Sequence, residues 1–406
     1  MKTNKHSLEI IAPDPRRHRD EMFDLIAKVF SHAGYYAFRD YCRQKYIDHS
    51  FYDWSASRIG LIGGRIVTHW GVWDYRMRVG SALLRTGGVG VVATNGDYRG
   101  RGYMAGTGEA SIEAMTGMGY DMTILFGIRE FYHRFGYVRG WSDHAYFVSL
   151  ADLPKGRPPA LRKFTNMLDP QLTQLANRAY DGLTGTAVRP TYQQIESELQ
   201  KGEGYSWTDA AGRLTGYVIA LAERGNANRV WIADAIGQPP EVFSAVAAVM
   251  RRKKATEVRF TNLHHDSLLA RALRQMNCRQ EIYNRRSGGP MIRTLNLRSC
   301  LTKMRGELTG RLRASALAAW SGRLLIADPR ESVVLDIRRG AVRVGEGASA
   351  RHAIRGGEHI ARLLIGTDEP AETVRAGGIK LTGDAPALLA ALFPAQHPML
   401  PSFDHY

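Results

Sequence analysis

Two stretches carry residue types whose order could do chemistry. From Val91 to Met104 the chain reads VVATNGDYRGRGYM. A β-branched run passes into a turn rich in glycine and arginine, and the turn opens a helix. That order leaves backbone N–H groups unpaired at a helix N-terminus, where the positive end of the dipole favours a phosphate. Gly100 and Gly102 let the backbone approach a ligand closely. Arg99 and Arg101 supply cationic donors for phosphate oxygens. The turn has neither the Gly-Lys-Ser/Thr ending of a Walker loop nor the dinucleotide glycine fingerprint. The same residues also fit a plain strand-to-helix turn with solvated arginines.

The second stretch is FYHRFGY, Phe131 to Tyr137. Phe131 and Phe135 stand four apart, the spacing of a buried helical pair, and Gly136 suits the end of that helix. Tyr132 then projects to another side. A phenol of ordinary pKa about 10 can give its proton to a thiolate leaving group of comparable pKa. A packed core tyrosine is the competing reading. Glu130 and His133 flank Tyr132 and are candidates for tuning it, against the simpler role of a solvated face.

These residues need elements to position them. The pattern predicts an edge strand over Ser7–Ala12 and helices over Arg16–Ser31 and Ala37–Ile47. A hairpin joins Ser57–Ile62 to Arg65–Tyr75 through Gly63-Gly64, and the meander continues over Met77–Thr94, turning near Gly80. A helix over Gly102–Gly119, a buried strand Met122–Phe126, a short helix near Arg129–Phe135 and a strand His144–Leu150 complete a first unit. Leu153–Ala160, with three prolines, reads as a linker. A second unit repeats the order of strands and helices of the first unit's later half, without its glycine–arginine turn. A third unit has three antiparallel strands within Ser321–Glu346, short helices, and a proline-rich extended tail from Phe393 to Tyr406.

Composition narrows the function classes. The 406 residues are 44% hydrophobic and 23% charged, which excludes wholesale disorder. The net charge is +16, with 55 Lys+Arg against 39 Asp+Glu. It divides as +4 (19 basic, 15 acidic) over residues 1–150, +8 (21, 13) over 151–294 and +4 (15, 11) over 295–406. That spread raises nucleic acid, an anionic membrane surface or a phosphate-bearing ligand as partners. The densest cluster, Arg251 to Lys254, fits the cationic last turn of a helix. Cys42, Cys278 and Cys300 share no metal-ligand spacing and suit a reducing cytoplasm. No signal-peptide core or membrane span is expected, and no metal. His264-His265-Asp266 reads as a helix start capped by Asp266 rather than a metal cluster. Trp54, Trp70 and Trp73 are candidates for acceptor-pocket walls, with core packing expected for at least two.

The two motifs and the helix between them resemble the GCN5-related N-acetyltransferases (the GNAT family), and the layout resembles their three-domain, Eis-like branch. The resemblance implies an α+β fold. It consists of a catalytic GNAT domain (1–152), a degenerate GNAT-like domain (153–297) and a sterol-carrier-protein-like domain (298–406), each GNAT unit a mixed sheet flanked by helices. It implies acetyl-CoA as cosubstrate. Val92 and Thr94 would bond the pantetheine arm, and Arg99, Gly100, Arg101 and Gly102 would hold the pyrophosphate. Tyr132 would be the acid that protonates the departing sulfur. The terminal carboxylate of Tyr406 would manage the acceptor amine. The acceptor would be an aminoglycoside, polyamine, lysine or peptide amine, acetylated by direct sequential transfer. No cysteine lies in either motif, and no nucleic-acid partner is expected. A homo-oligomer, such as a hexamer, is a family expectation. The alternative class is a lipid-binding or regulatory pseudoenzyme using the third domain. Departures from the family pattern are Asn95-Gly96, Met104, Arg129 and the terminal Tyr406.

Overall fold

The computed structural model describes residues 7–30, 34–48, 50–165, 169–191, 202–223, 225–261 and 263–405. Three sheets organise them. The first begins with β1 (Glu9–Ile11), β2 (Arg58–Ile62), β3 (Arg65–Val79), β4 (Ala82–Thr94) and β5 (Met122–Gly127) in that order. Gly63 and Gly64 both take positive φ (56° and 77°), which a two-residue hairpin between right-twisted strands requires. Helix α1 (Arg19–Phe30) carries Asp20 and Glu21 in its first turn and Lys28 in its last, as the helix dipole favours. It buries Met22, Phe23, Leu25 and Ile26 in the core shared with β3 and β4. Helix α2 (Tyr35–Tyr41) runs into a π-helical turn, Cys42–Tyr46. Helix α3 (Tyr103–Gly117) crosses from β4 to its parallel neighbour β5.

β6 (Val138–Arg139) stays at the edge of the first sheet, whereas β7 (Asp143–Ser149) enters the second. The strand predicted to finish the first unit therefore does not: β7 pairs with β12 (Glu257–Thr261) and β13 (Arg279–Tyr283). In return β14 (Gly289–Thr294), which the sequence pattern does not single out, inserts between β5 and β6. The two units thus exchange a strand. Alternation along β7 is compatible with either sheet, so only its pairing partners decide.

The second sheet also holds β8 (Arg162–Phe164), β9 (Gly202–Thr208), β10 (Leu214–Ala222) and β11 (Arg229–Ile236). β11 runs parallel to β12 around the helix Pro239–Arg252, the same crossover as β4–α3–β5. Two tandem units with mixed sheets and the same parallel crossover, the second lacking the glycine–arginine turn, are the result. Ser267, not Asp266, caps the helix Leu268–Leu273; its Oγ accepts from the Ala270 N–H at 3.2 Å. Asp266 instead gives its N–H to His264 Nδ1.

The third sheet has five strands, β15 (Gly322–Ala327) to β19 (Lys380–Thr382). A helix over Leu297–Arg313 packs against β4 and against this sheet. Sequence reading passes over it because Gly306 and Gly310 interrupt it and charged residues crowd it. Its apolar positions nevertheless keep helical spacing: Leu297, Cys300, Leu301, Met304, Leu308 and Leu312 are buried. Ser299 and Lys303 near its start both reach the buried Asp121, at 2.5 Å each.

The tail runs extended and ends its described part in a turn, Ser402–Asp404, against β11. Phe403 joins the core of the second unit beside Tyr217 and Ile219. Arg189 binds the Asp404 carboxylate with Nε and Nη2, both at 3.0 Å, and Asp234 with Nη1 at 2.6 Å. Thr191 donates to Asp404, and Tyr180 and Tyr217 donate to Asp234. All three charged side chains are at most 1% exposed. Burial holds the Asp404 carboxyl above its usual range against the pull of Arg189. Removing Arg189 takes its cation and its bidentate contact away from two buried carboxylates. Arg189→Met is therefore expected to cost about 3–5 kcal/mol, read as a fall in the denaturant midpoint; an unchanged midpoint contradicts this.

Candidate functional site

β4 and β5 pair only over Thr86–Val89 and Met122–Leu125. Beyond that they part, because β4 carries a bulge: His69 faces Ala93 and Gly71 faces Gly90, so Trp70 alone opposes Val91 and Val92. Val91 sits at φ 42°, a conformation that costs a β-branched residue about 1–3 kcal/mol. A buried relay holds it there. The Val91 carbonyl can only accept, so His69 Nδ1 carries the proton it receives at 2.8 Å. Nε2 then accepts from the Tyr52 hydroxyl at 2.8 Å. Burial pushes the His69 pKa down to about 4, which keeps the ring neutral as this relay requires.

The parting opens a cleft of about 1050 Å³. Its floor is β4, with Val92 and Thr94 on the lining. One end is the turn after β4. Asn95 Oδ1 accepts from the Asp97 N–H, Gly100 and Gly102 take φ 75° and 78°, and Gly102 caps α3 without any side-chain bond. The first N–H groups of α3 are thereby left for a ligand at the positive end of the helix. Arg99, Gly100 and Gly102 line the cleft there, whereas the Arg101 side chain folds onto its own loop, bonding the Asp97 carbonyl and covering the Tyr98 ring. Free N–H donors, two left-handed glycines and one lining arginine at this end suit a phosphate-bearing ligand.

Tyr132 lies in a 3₁₀ turn (Tyr132–Phe135) closed by left-handed Gly136. It is buried against Trp70 and Phe131 and lines the cleft. A Cβ on Gly127 would stand 2.5 Å from the Tyr132 ring, so glycine is needed at the end of β5 to admit it. Burial raises the phenol to about 12, so it remains protonated through neutral pH. Among the described residues its hydroxyl has no hydrogen-bond partner. His133 bonds the Tyr137 carbonyl, and the Glu130 N–H bonds Ser287.

Tyr406 lies outside the described residues. The residue before it reaches the cleft: His405 stacks on Phe126, a lining residue at the end of β5, with centroids 4.1 Å apart. His405 Nε2 donates to the Leu400 carbonyl, and burial pushes its pKa down to about 4. Among the described residues the cleft lining holds no tryptophan. Trp70 and Trp73 are core, and Trp54 borders a separate small pocket with Arg19 and Asp48. The wall is built by Val29, Phe30, Phe38, Tyr41 and Tyr46 from α1, α2 and the π-helical turn. The aromatic density of Tyr35–Tyr46 was the available signal. Arg134, also on the lining, was legible only as part of the second motif. Among the described residues no group of His, Cys, Asp and Glu could hold a metal ion, and no helix is long and apolar enough to cross a membrane.

Residues 15–140 match the family profile described as Acetyltransferase (GNAT) domain. This part of the chain is a GNAT acetyltransferase domain, and the protein is an acyltransferase. No curated protein matches in sequence. Solved structures similar over 98% of this chain and 100% of their own include a GCN5-related N-acetyltransferase from Kribbella flavida (18% identity, TM-score 0.74). Another, from Anabaena variabilis, has 14% identity and a TM-score of 0.76, and Eis from Mycobacterium abscessus has 14% and 0.68. At these identities the likeness is one of fold.

Tyr52→Phe removes a bond of about 1 kcal/mol from the relay. It is expected to raise the acetyl-CoA KM more than it lowers kcat; an unchanged KM contradicts the relay. The depressed His69 and His405 pKa values predict acid sensitivity. Unfolded rings take up protons below about pH 6.5, and the folded ones refuse them until about pH 4. Stability is therefore complete above pH 6.5 and falls by about 1.4 kcal/mol per pH unit per ring between those values. His405→Phe should flatten that slope in unfolding midpoints measured at pH 7, 6 and 5, and an unaltered slope contradicts it.

Proposed function

We propose that the protein transfers acetyl from acetyl-CoA to a primary amine by direct sequential transfer. The observation that carries the reading is the cleft itself: parted strands, an uncapped helix N-terminus at one end, a protonated tyrosine on the wall and the C-terminal tail arriving from the other side. In this reading the bulged strand at Val92 and Thr94 bonds the pantetheine amides. Arg99, Gly100 and Gly102 bind the pyrophosphate, with Arg101 contributing its N–H. The amine nitrogen attacks the thioester carbon, a C–N bond forms and the C–S bond breaks. Tyr132 gives its proton to the departing sulfur, and the proton lost by the attacking nitrogen returns to the Tyr132 phenolate through water. Its pKa near 12 leaves the match to a thiol looser than an unperturbed phenol would give, so the proton moves as the C–S bond breaks rather than before.

In this reading the Tyr406 carboxylate attracts the ammonium form of the acceptor and passes its proton to water; the stack of His405 on Phe126, one residue earlier, supports this role. An α-carboxyl of ordinary pKa about 3.5 is too weak a base to deprotonate it directly. The three units, 1–152, 153–297 and 298–406, act as one machine of the cytoplasm, with a single acetyl-CoA site in the first. The third, read as sterol-carrier-like, has its interior filled by Leu324, Ile326, Val333 and Leu335. This core is continuous with that of the first unit, which favours a scaffold over a lipid carrier.

Tyr132→Phe is expected to lower kcat by about 10²-fold or more with little change in acetyl-CoA affinity. Near-normal turnover would place the acid elsewhere. Extending the chain past Tyr406 should abolish turnover while acetyl-CoA still binds, as read by calorimetry; full activity of the extended protein refutes the carboxylate's role.

A further inference from the structure

The acceptor's chemical class can be read from charge along the cleft, and this rests on the acetyltransferase reading above. Among the described lining residues there is no Asp or Glu. On the acceptor side the wall is apolar and aromatic: Val29, Phe30, Phe38, Tyr41 and Tyr46. In the reading above, the Tyr406 carboxylate meets one ammonium of the acceptor. A second ammonium on the same acceptor would find no carboxylate among the described lining residues, only the weaker pull of aromatic faces.

Beyond the wall the sign turns positive. Ile128, 67% exposed, lines both the cleft and an adjoining groove of about 530 Å³. That groove brings Arg129, from the loop after β5, beside Arg285 and Arg286, from the loop between β13 and β14. Arg285 is engaged by Asp143 at 3.0 Å. Arg129 and Arg286 are exposed and make no ion pair among the described residues, and Glu130 is the one acid among the groove's described lining residues. The exposed Tyr283 adds an apolar face beside them.

We infer that the acceptor is an amine with an apolar body and a negatively charged far end, its amine at the cleft and its anionic group on Arg129 and Arg286, and that polycationic amines are disfavoured. The strand exchange makes this possible, because it carries the second unit's arginine loop to the mouth of the first unit's cleft.

The test compares three acceptors of one length and different ends: 6-aminohexanoate, 6-aminohexanamide and 1,6-diaminohexane, with coenzyme A release as the readout. The carboxylate is expected to lead the amide in kcat/KM by about five- to tenfold, the effect of one or two part-exposed ion pairs, with the diamine last. In the double variant Arg129→Gln, Arg286→Gln the ratio of carboxylate to amide should fall to about one. A diamine used as well as the carboxylate, no turnover of the carboxylate, or an unchanged ratio in the variant overturns the inference. Turnover of the diamine alone leaves the acetyltransferase reading standing. Turnover of no amine, with acetyl-CoA bound, removes both.

Discussion

Past Val89 and Leu125 the neighbouring strands β4 and β5 stop exchanging hydrogen bonds, and the backbone groups of Gly90 to Thr94 on that side need partners from elsewhere. Everything chemical in the molecule follows from this gap. An amide-bearing ligand can supply the missing partners, and the turn that follows β4 delivers it to the positive end of α3. The gap would close if β4 ran straight. It stays open because Val91 is kept in a left-handed conformation by the neutral His69, itself oriented by Tyr52. Local strain, offset by a buried relay, thus becomes a binding surface.

The second unit repeats the parallel crossover without the phosphate turn, and its role lies in what it lends. It supplies β14 to the first sheet and receives β7. Through Arg189 and Asp234 it holds Asp404, and so fixes where the chain's last residues emerge. Asp404 is anchored by Arg189 and His405 is stacked on Phe126, so the last described residues are held on two sides. The basic excess of this middle region, unexplained by a phosphate loop it does not have, is partly the arginine loop at the cleft's mouth.

Much of this was legible in the sequence because it is local. Gly63-Gly64, the alternation of β3 and the run from Val91 to Met104 each carry their geometry in adjacent residues. Tyr132 stood out as the polar member of an aromatic turn. What was not legible depends on contacts distant in the chain. β7 changes sheets on pairing alone. The helix Leu297–Arg313 hides its regular apolar spacing behind charges that Asp121 and the third sheet position. The relay through His69 joins residues on β3 and β4 to one before β2, and nothing in their types announces it. Of the three tryptophans, Trp70 and Trp73 pack in the core, as expected for at least two of them, and the aromatic part of the cleft lining comes instead from residues between Phe30 and Tyr46.

The central claim, one cleft that passes acetyl directly from acetyl-CoA to an amine, is tested most directly by a single-turnover experiment with radiolabelled acetyl-CoA. The full chain is first titrated with acetyl-CoA and then mixed with amine. The account predicts one equivalent bound per chain, all label recovered on the amine and none on the protein at any time. Label retained on the protein, or two equivalents bound, would contradict it.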